Sequence, residues 1–430
     1  MMKITRLLIK FISLIIILAS LYFLITKLYT ETVNLVAAYL LIFCSFYLVY
    51  NYRKDTKLFI TYFFIFYVNY SISINRYIHV SLDGFLNQIN DTITKGEGIF
   101  ILLFFISILI LLSKECDTVI NDTTKNHFVI EKGCNCIIGV VVILILITIF
   151  IGSAYYKVFS GQLYEYSIIF FIIGFYFSGR NIKIRLSMVA IMFIYAFNTF
   201  YNGKRVSVLQ IIVVYFIMFH SYKISYKKTI PYIIGGVIFL TFISIYREGL
   251  GKFSILDVFI ILKNRMFAMD TAYYAYYTSL TFLKVKGIID INEQFRLLRN
   301  FILSMFAGSR VVDSNLANYT KSFYFHYDGG ILPYFFYFWL GWLGLPLAAI
   351  IVSIYTNISS KIKLSSSGFK KCLATYFCSI VFRWYLYSPT GLIRGVLLLL
   401  IVYLGFFYAD YIMERIVTNN KVFSTKNKDM

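Results

Sequence analysis

The sequence predicts an all-α protein: a polytopic bundle of about twelve transmembrane helices with one large loop on the outer face of the membrane. Three observations predict it. Hydrophobic residues make up 60% of the 430-residue chain and charged residues only 14%, so most of the chain has no face suited to water. The hydrophobic residues fall into long separate runs. Lys and Arg are concentrated in every second gap between those runs.

Each hydrophobic run approaches the length of about 17–25 residues that a helix needs to cross a bilayer. The predicted domains are spans 1–9 within 1–246, an outer loop over 247–330, spans 10–12 within 331–412 and a tail over 413–430. The predicted spans lie near residues 7–26, 33–50, 58–74, 99–113, 137–152, 164–178, 186–200, 206–220, 230–246, 331–357, 372–388 and 392–412.

The basic gaps predict the orientation of the chain, because Lys and Arg are enriched in cytoplasmic loops. Twelve spans with both termini in the cytoplasm put every basic gap on the cytoplasmic side. Attraction to anionic lipid and topogenesis then explain the net charge of +21, and nucleic acid is not expected as a partner. The basic gaps are 1–10, 51–57, 114–132, 179–185, 221–228, 358–371 and 413–428.

The outer loop, 247–330, is not an ordinary polar loop. Residues 253–282 are rich in Ile, Phe, Tyr and Met, which predicts a helix lying in, or dipping into, the outer interface. A full span there would reverse the orientation of the gap at 358–371, so an interfacial or re-entrant segment is preferred. Residues 295–306 place two arginines among Leu and Phe and predict a short amphipathic helix.

Five cationic residues fall near the outer ends of predicted spans, where each cation costs about 2.5–3.5 kcal/mol if it lies at mid-membrane. One explanation is that their long side chains reach up into the interface. The alternative is phosphate binding, since a guanidinium bonds phosphate in a bidentate manner and keeps its charge in a low dielectric. These residues are Lys204, Arg205, Arg247, Arg383 and Arg394.

Three stretches resemble the bacterial O-antigen and capsule repeat-unit polymerases (Wzy-type). The turn Asn202-Gly203-Lys204-Arg205 is similar to a Gly-Lys-Arg turn of that family. Asp328-Gly329-Gly330, followed by an aromatic span, is similar to its loop exit, although residues 323–328 lack the Gly-rich, Ser-containing run often found there. Arg383 and Arg394 lie where the family places late arginines. The resemblance covers about residues 195–400, and the first half of the chain matches in hydropathy alone.

The resemblance implies a glycosyltransferase in a bacterial cytoplasmic membrane, which moves a growing glycan from undecaprenyl diphosphate to the next lipid-linked repeat. Positive charge is needed as the sugar C1–O bond breaks, and Arg247, Arg383 and Arg394 are the first candidates. The acceptor hydroxyl needs a base or an orienting acceptor. Asp328 and His326 are preferred because flanking glycines permit close approach; the other candidates are Glu248, Asp270 and Asp313. The residues assigned to substrate binding are Lys204, Arg205, Arg265, Asp270, Trp384 and Tyr385.

No cofactor and no metal are expected, because the sequence has no Asp-x-Asp pair. Cys134-x-Cys136 with His127 is a weak metal motif in a gap assigned to the reducing cytoplasm. Expected partners are the lipid-linked oligosaccharide and the bilayer, and the resemblance adds a chain-length regulator and a flippase. Three alternatives stay open: an O-antigen ligase, a flippase for lipid-linked oligosaccharide and an assembly subunit without catalysis.

The predicted orientation can be tested by thiol labelling of two single-cysteine substitutions in intact cells. We expect a cysteine at position 328 to react with a membrane-impermeant thiol reagent and a cysteine at position 365 to stay unlabelled. The unsubstituted chain, with its six native cysteines, gives the background. Labelling at 365 alone would mean that the orientation is inverted.

Overall fold

The computed structural model describes residues 2–78, 91–114, 136–154, 161–178, 181–201, 205–219, 227, 229–232, 234–236, 238, 270–326, 329–362 and 367–426. Over these ranges the secondary structure is helical and contains no strand, which confirms the all-α class. The chain divides into two compact units. The first comprises Met1–Asp122, Lys223–Lys361 and Phe377–Ile393; the second comprises Thr123–Tyr222, Ile362–Tyr376 and Arg394–Met430.

Within these described ranges, sixteen α-helices are numbered in chain order. They are α1 (Met2–Thr26), α2 (Glu31–Asn51), α3 (Thr56–Ser73, continued by a π-helical turn Ile74–Ile78), α4 (Thr92–Leu112), α5 (Cys136–Ala154), α6 (Gly161–Phe177), α7 (Ile182–Tyr201), α8 (Arg205–Phe219), α9 (Asp270–Ile288), α10 (Ile291–Ala307), α11 (Leu316–Thr320), α12 (Leu332–Leu340), α13 (Gly344–Ser360), α14 (Gly368–Ser379), α15 (Val381–Leu386) and α16 (Thr390–Lys426).

Seven helical segments of the described residues are long and apolar enough to cross a membrane. Their length and composition fit a multi-pass helical membrane protein, but the expected total of about twelve spans is not confirmed. The predicted span at 230–246 lies largely outside the described residues. The seven segments are 7–26, 31–51, 56–78, 92–112, 182–199, 332–360 and 390–413, and three shorter apolar helices lie at 137–153, 164–177 and 206–218.

The predicted span over 372–388 is not a single helix, because the chain forms two helices there, α14 and α15, which are separated at Ile380. In an unbroken helix the carbonyl of Phe377 would accept from the backbone four residues later. Here the indole Nε1 of Trp384 donates to that carbonyl at 3.1 Å. A side chain thus replaces a ladder hydrogen bond, which is one of the recognised causes of a helix break.

The first unit is built around α4, in which every residue from Ile99 to Ile110 is buried. Such a run has no polar face, and a helix that is apolar all round belongs in a core. It packs against α1, α2, α9, α12 and α13. By contrast, α1 and α2 leave large apolar side chains exposed, among them Leu7 and Phe43, as expected of helices whose outward faces contact lipid.

Contacts within the first unit give the relative directions of its helices. Asn34 Nδ2 donates to the carbonyl of Thr92, and the Tyr334 hydroxyl donates to the carbonyl of Gly98. The starts of α2, α4 and α12 therefore lie at one end, which the sequence assigns to the outside. At the other end, Tyr62 at the start of α3 bonds Thr356 late in α13. These directions match the predicted alternation, while the compartment that each end faces stays a prediction.

Helix α9 is rich in Tyr, Thr and Ser, yet it is buried inside the first unit. Thr278, Ser279 and Thr281 are fully buried, and each hydroxyl donates to a backbone carbonyl of its own helix. Protein therefore surrounds this helix from Ala275 to Leu283. The interfacial segment predicted over 253–282 is not confirmed: residues 253–269 lie outside the described residues, and the remainder is enclosed by α3, α4 and α12.

The second unit comprises α5–α8 with parts of α14 and α16. Its core centres on Tyr195, which is fully buried. The Tyr195 ring stacks on Tyr164 at 4.8 Å between centroids, and its hydroxyl donates to the carbonyl of Leu146 at 2.6 Å. A buried tyrosine hydroxyl needs such a partner, so this contact fixes α7 against α5 and α6.

The close approach of α4 and α9 predicts the effect of adding one methyl group at Gly98. A Cβ there would lie 2.6 Å from the hydroxyl oxygen of Tyr276 and 2.7 Å from Leu280. We expect Gly98→Ala to lower stability by about 1–3 kcal/mol, as overpacked cores do, measured as a lower Tm in detergent. Gly287→Ala is the control, since nothing lies within 4 Å of a Cβ at that position on α9. Equal Tm values for both variants would contradict this packing.

Candidate functional site

Two segments that the sequence singled out contact each other in the first unit. The Gly330 N–H donates to the carbonyl of Leu386 at 3.0 Å, and the Ile331 N–H donates to Ser279 Oγ at 2.8 Å. Gly329 has φ +107°, and a Cβ there would lie 2.9 Å from the same Leu386 oxygen. That backbone conformation strongly favours glycine. Because Gly329 has no Cβ, the exit of the predicted outer loop can lie directly against the turn after α15.

Arg383 lies on α15, half-buried, with its guanidinium carbon 5.5 Å from the ring centre of Tyr387. The turn that follows is closed by backbone bonds from Tyr387 and Ser388 to the Arg383 carbonyl. The hydroxyls of Ser388 and Thr390 bond each other at 2.6 Å. The segment from Arg383 to Thr390 is therefore a defined hairpin, called here the Arg383 hairpin.

Trp384 and Tyr385 hold the Arg383 hairpin in place. Both are fully buried. The Trp384 ring stacks on Phe377, and the Tyr385 hydroxyl donates to Asn69 Oδ1 at 2.8 Å. Asn69 is itself fully buried and donates to Ser45 Oγ at 2.9 Å, so one amide joins α2, α3 and α15. Neither ring face is open to a sugar in this arrangement, and both residues position the hairpin.

His326 is 3% exposed, and its Nε2 lies 2.8 Å from Thr320 Oγ1. Thr320 Oγ1 is also 3.0 Å from the carbonyl of Leu316, which accepts the hydroxyl proton. The hydroxyl oxygen can then accept from Nε2–H. This bond engages Nε2 whichever of the two atoms donates, and the ring is buried.

The other predicted site residues are less fully described. Arg394 belongs to the second unit, where it is half-buried and its guanidinium lies 5.8 Å from the ring centre of Tyr166. Arg205 and Asp270 begin α8 and α9, and their backbone alone is described. Outside the described residues lie Lys204, Arg247, Glu248, Arg265 and Asp328, together with His127 and Cys134.

The structure adds a cationic cluster that the sequence analysis missed. Arg76 lies on the π-helical turn after α3 and is only 4% exposed. Its Nη1 donates to the Tyr273 hydroxyl at 3.3 Å. Next to it, Tyr77 donates to the carbonyl of Lys95 at 2.7 Å and bonds the hydroxyl of Tyr276. These residues define the Arg76 cluster, at the end of the first unit that the sequence assigns to the outside; single π-helical turns are frequent at functional sites.

One sequence signal could have found the Arg76 cluster. Arg76 and Lys95 flank the gap between the third and fourth predicted spans, which the topology places outside. Cations in an outer gap are unexpected, because Lys and Arg are normally enriched in cytoplasmic loops. The predicted spans stopped at residue 74 and resumed at 99, so both cations were treated as loop, whereas the helices extend to Ile78 and begin at Thr92.

A second polar cluster lies on another face of α4. Glu97 accepts from the Tyr337 hydroxyl at 2.6 Å. Lys286 Nζ donates to the carbonyl of Phe338 at 2.9 Å and to Gln294 Oε1 at 2.8 Å. Since residues two apart on a helix point about 200° apart, Glu97 and Lys95 face different neighbours. This second cluster joins α4, α9, α10 and α12 and has a structural role.

Helix α10 lies where the sequence predicted a short amphipathic helix, and an ionic clip ties it to the loop that follows. Arg296 donates to both carboxylate oxygens of Glu293, at 2.7 and 2.6 Å, and to Asp313 at 3.0 Å. The Tyr319 hydroxyl also donates to Glu293. The bond from Arg296 lowers the pKa of Glu293 below its ordinary value. Whether α10 lies in the membrane interface stays a prediction.

Comparisons with known proteins add no relative: no family model, no curated protein and no solved structure matches the chain. The fold and the site fit one class, a multi-pass α-helical membrane protein, with the buried Arg76 at one end of its first unit. Across the part of the chain that is described, no group of three or more His, Cys, Asp or Glu could hold a metal ion. Metal independence stays a prediction.

The ionic clip predicts a pH dependence. A carboxyl whose folded pKa is lowered adds stability above its unfolded pKa of about 4.3, and that stability is lost as pH falls through the lower folded value. We expect amide exchange over 291–320, corrected for intrinsic rates, to rise when pH drops from 6 to 3. Glu293→Gln should abolish this dependence. Asp290→Asn should keep it, because Asp290 caps α10 by accepting from the Glu293 N–H and Asn caps equally well.

Proposed function

We propose that this chain is a glycosyltransferase that polymerises oligosaccharide repeat units carried on undecaprenyl diphosphate, at the outer face of a bacterial cytoplasmic membrane. One observation carries the proposal: the loop exit at Gly329–Gly330 is bonded to the Arg383 hairpin. These are two of the three stretches that resemble repeat-unit polymerases. They are distant in sequence, and their contact brings the proposed acceptor and donor elements together.

The proposed reaction joins the non-reducing end of one lipid-linked repeat to C1 of the sugar on the other carrier. The acceptor oxygen attacks C1, and the C1–O bond to the diphosphate breaks with its electron pair leaving on the diphosphate. The acceptor proton passes to a base. Diphosphate is a good leaving group, so the main requirement is fixed positive charge where negative charge develops.

Arg383 is the residue that we propose supplies this charge from the first unit, with Arg247 and Arg394 as further candidates. Arg383 lies on the short helix α15, and the buried hydrogen bonds of Trp384 and Tyr385 hold the Arg383 hairpin in place. A cation held on a rigid hairpin loses little side-chain freedom when it binds, and such preorganisation favours transition-state stabilisation. Asp328, adjacent to Gly329, is the preferred base, since His326 is buried and its Nε2 is bonded to Thr320.

Deletion of the gene followed by electrophoresis of surface glycans tests the proposed function. A polymerase predicts loss of the long-chain ladder with a single repeat still attached to its acceptor. Loss of all attached glycan would instead indicate a ligase or a flippase, and an unchanged ladder would leave an assembly subunit as the remaining alternative.

Removal of the proposed charge gives a sharper prediction. We expect Arg383→Ala to leave the protein in the membrane and to reduce polymer formation at least about tenfold, since a charge-assisted hydrogen bond contributes about 1.5–3 kcal/mol. Arg53→Ala is the matched control. Arg53 also lies over a tyrosine, at 3.6 Å from the Tyr50 ring, but at the predicted cytoplasmic end.

The second unit offers a parallel pair of variants, read by the same ladder assay. Arg394→Ala should also shorten the glycan ladder, whereas Arg415→Ala, whose guanidinium lies 4.7 Å from the Tyr411 ring in the predicted cytoplasmic tail, should not. Normal ladders in both Arg383→Ala and Arg394→Ala would exclude the proposed role of these arginines.

A further inference from the structure

We infer that Arg76 and Lys95 form a binding subsite for the diphosphate group of a polyprenyl carrier, at the predicted outer end of the first unit. This inference rests on the proposed function and adds to it a subsite that the resemblance does not indicate. Neither residue belongs to the stretches that resemble the polymerases. The inference concerns binding alone and adds no covalent step.

The geometry places the two cations on adjoining turns of different helices. The Tyr77 hydroxyl donates to the carbonyl of Lys95 at 2.7 Å, so the first turns of α4 are anchored to the residue next to Arg76. Arg76 is almost fully buried, whereas Lys95 and Tyr273 are half-buried. Arg76 is thus the floor of the subsite, and Lys95 and Tyr273 form its accessible rim.

The hydroxyl groups around Arg76 come from one face of α9. Tyr273, Tyr276 and Tyr277 are spaced three and four residues apart, which puts them on the same side of the helix. Tyr273 accepts from Arg76, and a phenolic hydroxyl has both a donor and an acceptor function. A guanidinium flanked by phenolic hydroxyls offers several donors to one group of oxygens, and phosphate oxygens are acceptors that can use them.

The charge balance also favours an anion. Lys95 lies close enough to Arg76 for the two positive charges to repel each other. The carboxylates of Glu31 and Asp91 attract the Lys95 ammonium group. Asp91 is also ion-paired with Lys284. The negative charge of Asp91 is therefore shared between Lys95 and Lys284. Like charges held together away from bulk water are costly, and a bound anion would offset that cost.

A lipid-borne diphosphate fits this position better than a free anion for two reasons. The subsite lies at the ends of membrane-spanning segments, α3 and α4, at the level where a carrier's headgroup meets its hydrocarbon chain. Two cations on separate helices also match two linked phosphates, each of which can contact one of them. Phosphatidylglycerol has a single phosphate and would engage the pair less fully.

The test measures binding of undecaprenyl diphosphate to the purified full chain in phosphatidylcholine nanodiscs. We expect Arg76→Gln and Lys95→Gln each to weaken binding at least about tenfold, which corresponds to the loss of one charge-assisted contact. Arg53→Gln at the opposite end of the first unit should bind as the unsubstituted chain does. The Tm without ligand reports folding of each variant, and if the buried Arg76→Gln fails to fold, the half-buried Lys95→Gln decides the outcome.

Two further arms identify the source of the phosphate. Inorganic pyrophosphate should compete weakly, and nanodiscs containing phosphatidylglycerol should leave the affinity for undecaprenyl diphosphate within about threefold, less than the tenfold loss of one contact. Equal competition by phosphatidylglycerol would overturn the inference in favour of a general anionic-lipid site. Unchanged affinity in Lys95→Gln would overturn it outright.

Failure of the inference can be separated from failure of the proposed function. If Arg383→Ala abolishes long glycan chains while Arg76 and Lys95 variants keep both binding and polymer, the function stands and the subsite does not. If deletion of the gene leaves the glycan ladder intact but Lys95→Gln still loses binding, the subsite stands and the polymerase assignment fails.

Discussion

The first unit depends on the enclosure of α9 by the apolar helices around it, because α9 is too polar to lie against lipid. In a bilayer every exposed polar group must find a partner within the protein. Ser279 meets this need twice, since its hydroxyl donates to Ala275 and accepts from the Ile331 N–H. Gly98 removes the side chain that would otherwise hold α4 away from Tyr276. Contact at these two residues makes a polar helix possible inside a membrane protein.

This enclosure also organises the candidate site. The Ile331 bond to Ser279 and the Gly330 bond to Leu386 are made by adjacent residues, so the loop exit is fixed to α9 and to the Arg383 hairpin together. On the other side of α9, Tyr273 and Tyr276 reach Arg76 and Tyr77. One buried helix therefore connects the elements of the proposed donor and acceptor sites with the Arg76 cluster.

Hydropathy predicted the long apolar helices well and the irregular segments poorly. The run that became α4 needed no context, because every residue from Ile99 to Ile110 is suited to a core. The break at Ile380 could not be predicted in the same way. The residues around it have the hydropathy of a span, and the break depends on an indole that bonds a carbonyl seven residues earlier.

The candidate site was likewise predicted only in those parts that a local pattern marks. The sequence drew attention to Gly329–Gly330 and to the segment of Arg383, and the structure brings these two into contact. It assigned Trp384 and Tyr385 to substrate, whereas in the structure these residues bond Phe377 and Asn69. Arg76 was left out because a window of mean hydropathy ends a span at the first strong charge. A buried guanidinium is tolerated there through partners such as Tyr273, 197 residues away in the chain.

By itself, the sequence determined the all-α class and the long apolar helices that fit a multi-pass membrane protein. Hydrophobic length and the placement of Lys and Arg are local properties of the chain. The alternating directions of the helices in the first unit follow from the same pattern. Only the tertiary structure decided which polar residues are enclosed and which cations share a cluster. Those outcomes depend on hydrogen bonds between residues distant in sequence, and no local pattern records the partner.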